Sequence, residues 1–167
     1  MLPANAAERL QLVEQQIQAG LIYNFLRYTQ WPAEPGAKAD APMVVCLFGG
    51  DAFAGHLQPM AGRTVNQRVI EIRNLGTIEE AQACSMVFVN AAEIPRWPEA
   101  RAVLAMKPML TVSNAEGFTD AGGMIEFTRT DSRIGVKINT NAVTAAHLQV
   151  EDRLLRLATP SSAGNGR

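Results

Sequence analysis

The sequence predicts an α/β fold: a mostly parallel sheet flanked by helices, with a C-terminal antiparallel hairpin and a long N-terminal helix. Three observations predict it. Short, continuously apolar runs, MVVCLF (43–48), MVFV (86–89) and PMLTV (108–112), alternate with amphipathic stretches, the pattern of strands covered on both faces. The opening segment carries apolar residues at three- and four-residue steps, the period of a helix with one apolar stripe. Near the C-terminus, GMIEFTR (123–129) and RIGVKIN (133–139) are separated by TDS alone, which reads as a hairpin.

The first helix is expected from Ala6 to about Thr29, with Leu10, Val13, Ile17, Leu21, Phe25 and Tyr28 along its stripe. Its second half, LIYNFLRY, is apolar over a wider arc and should be more deeply buried. Trp31-Pro32 ends it, because the residue before a proline is pushed out of the α region. AEPGAKADAP (33–42) follows as a loop. After the strand at 43–48, a helix is expected near DAFAGHLQPM (51–60), a strand at RVIEI (68–72) and a short helix at TIEEAQA (77–83). The strand at 86–89 leads to a helix at RWPEARAVLAM (96–106) with Pro98 in its first turn, then to the strand at 108–112. In the hairpin Ile134, Val136 and Ile138 share one face, and Lys137 points to the other. Asn139 can cap a helix through TNAVTAAHL (140–148), and EDRLLRLA (151–158) gives a final helical segment. One domain over residues 1–160 and a disordered tail over 161–167 are expected.

A chain of 167 residues, 47% hydrophobic, is long enough to bury a core without metals or a disulfide framework. A formal net charge of -1 leaves no basic footprint for nucleic acid. No apolar run approaches the ~20 residues that span a bilayer. At the N-terminus, Ala4-Asn5-Ala6 fits the small-x-small pattern that precedes signal cleavage, so an exported chain whose signal peptide has been removed is one expectation. Two cysteines, Cys46 and Cys84, lie in or beside apolar strands. In a reducing compartment each is a small buried hydrophobe. In an exported protein they can bridge, and closing that loop contributes about 4 kcal/mol in the chain-entropy model.

The chemical candidates are weak. In CLFGGDAFAG the glycines Gly49, Gly50 and Gly55 follow a strand, but Asp51 stands where the dinucleotide fingerprint needs its second glycine. Asp51 suits a helix's first turn and repels phosphate there. His56 and His147 lack a second ligand at helical spacing. In LTVSNAEGFTDAGGMIEF (110–127), Ser113 follows a strand without the G-x-S-x-G elbow. Glu116, Asp120 and Glu126 match no calcium loop or carboxylate pair. Gly117, Gly122 and Gly123 supply the turning capacity of a corner between strands, with the acidic residues solvated. No catalytic residue, cofactor or metal site is expected.

Five segments in order, YNFLRYTQWP, VVCLFGGDAFAGHL, CSMVFVN, MLTVSNAEGFTDAGGMIEF and VKINTNAVTAAHLQVEDRLLRLA, resemble the YfiR-like family from about Tyr23 to Ala158. The most specific part is YTQWP together with the terminal IN…LLRLA. The resemblance implies a periplasmic, non-enzymatic protein. It would repress an inner-membrane diguanylate cyclase by binding its periplasmic sensor domain, and so control cyclic-di-GMP and biofilm formation. It implies that Cys46 and Cys84 form one of the family's disulfides. Some members have a second pair in the region of AEGFTDAGGM, where this chain has no cysteine. Candidate partner or ligand contacts from the family-like ends are Tyr28, Gln30 and Trp31 with Gln149 and Glu151, in a chain expected to be a homodimer. The alternative is a small-molecule-binding periplasmic sensor module that acts on another membrane receptor. A hydrolase or transferase would need a nucleophile and base within reach, and the sequence offers none.

Overall fold

In the computed structural model, residues 2–33, 36, 38–53, 55–105, 107–131 and 133–160 are described. The predicted disordered tail, 161–167, lies outside them. The chain runs through α1 (Leu2–Arg27), β1 (Thr29–Gln30), β2 (Met43–Phe48), β3 (Thr64–Val65), β4 (Arg68–Leu75) and β5 (Met86–Val89). It continues through α2 (Trp97–Leu104), β6 (Leu110–Ser113), β7 (Ile125–Thr130), β8 (Arg133–Ile138), α3 (Thr140–Ala145), β9 (Gln149–Val150), α4 (Asp152–Leu155) and β10 (Ala158–Pro160).

Eight strands form one sheet in the order β10-β8-β7-β6-β5-β2-β4-β3. The pairs from β4 through β7 are parallel, as is β8 with β10, while β7–β8 and β3–β4 are antiparallel. This is the predicted mostly parallel sheet with its C-terminal hairpin. β2 and β5 sit in the middle, and every residue of both is buried. Their side chains alternate between two cores, as strand geometry requires. Val45, Leu47 and Phe88 join Ile22, Phe25 and Leu26 of α1 on one face. Val44, Phe48, Val87 and Val89 join Trp97, Ala100 and Leu104 of α2 on the other.

On that second face Cys46 and Cys84 form a disulfide, with Cα atoms 6.1 Å apart, the pairing that the family resemblance implied. Cys46 is mid-strand in β2, and Cys84 ends the 3-10 helix Ile78–Ala83 just before the adjacent strand β5. The bond therefore ties that helix down onto the sheet.

Several expectations need correction. α1 begins at Leu2, not Ala6, and ends at Arg27. The stretch 51–60 is not an α-helix. It forms turns and a 3-10 helix at Gln58–Met60, because the Asp51 carboxylate accepts from Phe53 N (2.8 Å) and Gly55 N (2.9 Å) and draws the chain into a turn. The segment 77–83 is 3-10, opened by a capping box between Thr77 and Glu80. The β3–β4 hairpin turns through Asn66 and Gln67, both at positive φ, and was not foreseen. The last helix stops at Leu155, and the chain then adds strand β10 beside β8.

LTVSNAEGFTDAGGMIEF is a crossover between parallel strands β6 and β7, and the chain reverses only at the later β7–β8 turn. Its acidic residues are not all solvated. Glu126 is 1% exposed and accepts from Gly117 N (3.0 Å), Thr119 N (3.0 Å) and Thr119 Oγ1 (2.9 Å). Those bonds satisfy a buried carboxylate and pin the crossover. Gly122 takes φ 98, a conformation that other residues rarely adopt, and the Phe118 ring covers Gly123 so that a Cβ has no room there.

The 38-residue separation of the cysteines makes the bridge worth about 4 kcal/mol against the unfolded chain. Cys46→Ala with Cys84→Ala is expected to lower unfolding stability by roughly that amount in a denaturant titration. A loss under about 1 kcal/mol would mean that the bridge adds little.

Candidate interaction site

The two ends of the chain meet at the end of α1. The last helical turn closes with Tyr28 N donating to Asn24 O (2.9 Å). The chain then extends, as expected before Pro32, and β1 pairs antiparallel with β9. Thr29 faces Val150 and Gln30 faces Gln149, and Glu151 N donates to Tyr28 O at 2.9 Å. Four of the five predicted contact residues are thus on one two-stranded ribbon or its flanks. The fifth, Trp31, continues from β1 and donates its indole N–H to Ser85 O at 2.9 Å, tying the ribbon to the sheet just before β5.

Gln30 and Gln149 are exposed, whereas Tyr28, Trp31 and Glu151 are half-buried. The Tyr28 ring lies 5.3 Å from the Arg27 guanidinium and 5.8 Å from that of Arg153. Contacts between cations and an aromatic face hold such a ring in place at an exposed site. The result is a fixed aromatic flanked by two cations and two amides, a surface that offers both an apolar ring and hydrogen-bonding groups.

The apolar stripe read along α1 divides. Ile22, Phe25, Leu26 and Ala19 are buried against the sheet. Leu10, Val13 and Ile17 are 60%, 51% and 47% exposed. The buried face is offset from the sequence stripe by roughly a third of a turn at 3.6 residues per turn. Polar contacts fix that rotation: Gln15 Nε2 donates to Ala52 O (3.1 Å), and Glu14 pairs with Arg129 of β7. The exposed apolar side of the helix therefore runs from Leu10 through Val13 to Ile17, on the spacing of one face, while Leu21 further along is half-buried against the core.

Ser113 and Asp51, weighed for chemistry, both have structural partners. Ser113 is fully buried, donating to Val89 O (2.6 Å) and accepting from Ala115 N (3.0 Å). Asp51 closes its own turn. His147, at φ 64, follows α3. Among the described residues no group of three or more His, Cys, Asp and Glu could hold a metal ion, and no helix is long and apolar enough to cross a membrane. Residues 15–159 match the model of a family described as YfiR/HmsC-like. No curated protein matches the chain.

Trp31 anchors the ribbon by its ring and by one N–H. Trp31→Phe is expected to cost about 1 kcal/mol of unfolding stability, the worth of a hydrogen bond whose carbonyl keeps its second donor, Leu110 N. Trp31→Ala adds the lost packing, for about 2–3 kcal/mol in total. Equal and small losses in both variants would show that the indole is not an anchor.

Proposed function

We propose, from the premise that this chain belongs to the YfiR/HmsC-like family, that it is a periplasmic regulatory binding protein acting on an inner-membrane diguanylate cyclase. Members of this family are regulators and not enzymes. In this reading the domain spanning 1–160 binds the periplasmic sensor domain of the cyclase and holds it inactive. Cyclic-di-GMP then falls, and biofilm formation is restrained.

The observation that carries the reading is the β1–β9 ribbon. It brings Tyr28, Gln30, Gln149 and Glu151 together on one ribbon with Trp31 as its anchor to the sheet, and in this reading they form the partner contact. Backbone pairing and the Trp31 anchor fix the patch before a partner arrives, which limits the ordering entropy that binding would cost. An aromatic set among polar groups suits the centre of a protein interface.

The chain is also proposed to be a homodimer, with Leu10, Val13 and Ile17 as its self-contact. Three exposed apolar side chains on one helix face favour a self-complementary, two-fold contact over continued exposure to water.

Two experiments test these readings. Gln30→Lys with Gln149→Lys is expected to weaken binding of the cyclase's periplasmic domain at least tenfold, or about 1.4 kcal/mol, without lowering the melting temperature. Unchanged affinity in a folded double variant excludes the ribbon as the contact. Val13→Glu with Ile17→Glu is expected to give monomers by sedimentation where the native chain is dimeric. A dimer that survives both changes has its interface elsewhere.

A further inference from the structure

Between α2, α3 and the end of the β6–β7 crossover lies a cleft of about 140 Å³, close to the roughly 150 Å³ that takes up a single benzene ring. Trp97 and Leu104 of α2 line it with Met109 and Met124, and all four are buried. From α3 come Ala142 and Ala145, whose short side chains leave the space between the helices open. The charged residues of its described lining, Arg101 and Lys107, are both exposed. The buried part of the lining is therefore uncharged.

The wall is set before any ligand arrives. Trp97 spends its indole N–H on Ala121 O (3.0 Å), and its ring lies 4.6 Å from that of Phe118. One buried polar side chain enters this apolar lining. Thr111, 4% exposed, accepts from Met124 N at 3.1 Å through Oγ1. A hydroxyl also has a proton to donate, and among the described residues none accepts it. A buried donor left without an acceptor is costly, and the cleft is the space from which an acceptor can be supplied. Apolar walls with a few placed polar groups are the usual makeup of a small-molecule site.

We propose that this cleft binds a compact, uncharged, mostly apolar molecule of about six to eight non-hydrogen atoms, with one hydroxyl or carbonyl oxygen that accepts the Thr111 proton. The flexible thioethers of Met109 and Met124 adapt to a ring or to a chain. The proposal asks nothing of the charges on Arg101 and Lys107. It goes beyond the partner-binding reading and stands or falls separately from it, since the cleft includes no residue of the β1–β9 ribbon.

NMR titration of the intact chain with phenol and with hexan-1-ol tests the proposal. One equivalent of at least one of them should bind with Kd below about 1 mM. Tighter binding of phenol identifies a ring ligand, and tighter binding of hexan-1-ol a chain. Thr111→Val should weaken binding about fivefold or more, the worth of one hydrogen bond, while Thr111→Ser keeps it. Ala145→Phe, at an exposed position on α3, fills the cleft without disturbing the core and should abolish binding at an unchanged melting temperature. The proposal is overturned if neither alcohol binds the native chain below about 1 mM. It is equally overturned if folded Ala145→Phe or folded Thr111→Val binds as tightly as the native chain.

Discussion

β2 is buried along its whole length on both faces, and the placement of the other layers follows from that burial. A strand with no solvent-facing side must be covered twice. One cover is the C-terminal half of α1, with Phe53 and Leu57 from the turns after β2. The other is α2 with the 3-10 helix that the disulfide fastens to β2 itself. Once Ile22, Phe25 and Leu26 are committed to the first face, the end of α1 is fixed relative to the sheet. That commitment delivers Tyr28 to β9 and the Trp31 indole to Ser85. The position of the β1–β9 ribbon, and of the proposed interaction surface on it, is thus a consequence of how the central strand is covered.

The same commitment leaves the first half of α1 with apolar residues facing solvent. Burial of Ile22, Phe25 and Leu26, with Gln15 and Glu14 bonded to the body, sets the rotation of the helix. At that rotation Leu10, Val13 and Ile17 cannot also reach the sheet. Three exposed apolar side chains on one helix face are unfavourable in water unless something covers them, and so the helix has a buried stripe and an exposed one.

How much was legible follows from the range of each interaction. β2, β5 and β6 were readable because their apolar runs mark full burial wherever their neighbours lie. The helix caps were local as well: Asn139 Oδ1 accepts from Ala142 N at 3.0 Å, as its position implied. β1, β3, β9 and β10, at two or three residues each, carry no period to read, and a non-local partner defines each of them. The stripe on α1 mixed two faces because Leu and Ile obey the helical period whether they meet a core or another molecule. Residues 51–60 carried enough apolar residues for a helix, yet the Asp51 carboxylate bonds to Phe53 and Gly55 and favours the turn. Glu126 looked like a solvated acid, since a sequence does not show that two backbone amides and a hydroxyl will converge on it. The proposed contact residues come one by one from family-like motifs, whereas their meeting on one ribbon depends on the β1–β9 pairing.

The central claim is that the patch assembled on that ribbon is where the regulated partner sits. Hydroxyl-radical footprinting of the chain, alone and saturated with the cyclase's periplasmic domain, tests it most directly. Tyr28 and Trp31 are half-buried and therefore open to labelling in the free chain. The account predicts that both lose reactivity in the complex. Undiminished labelling of both, with protection confined to other parts of the surface, would contradict it.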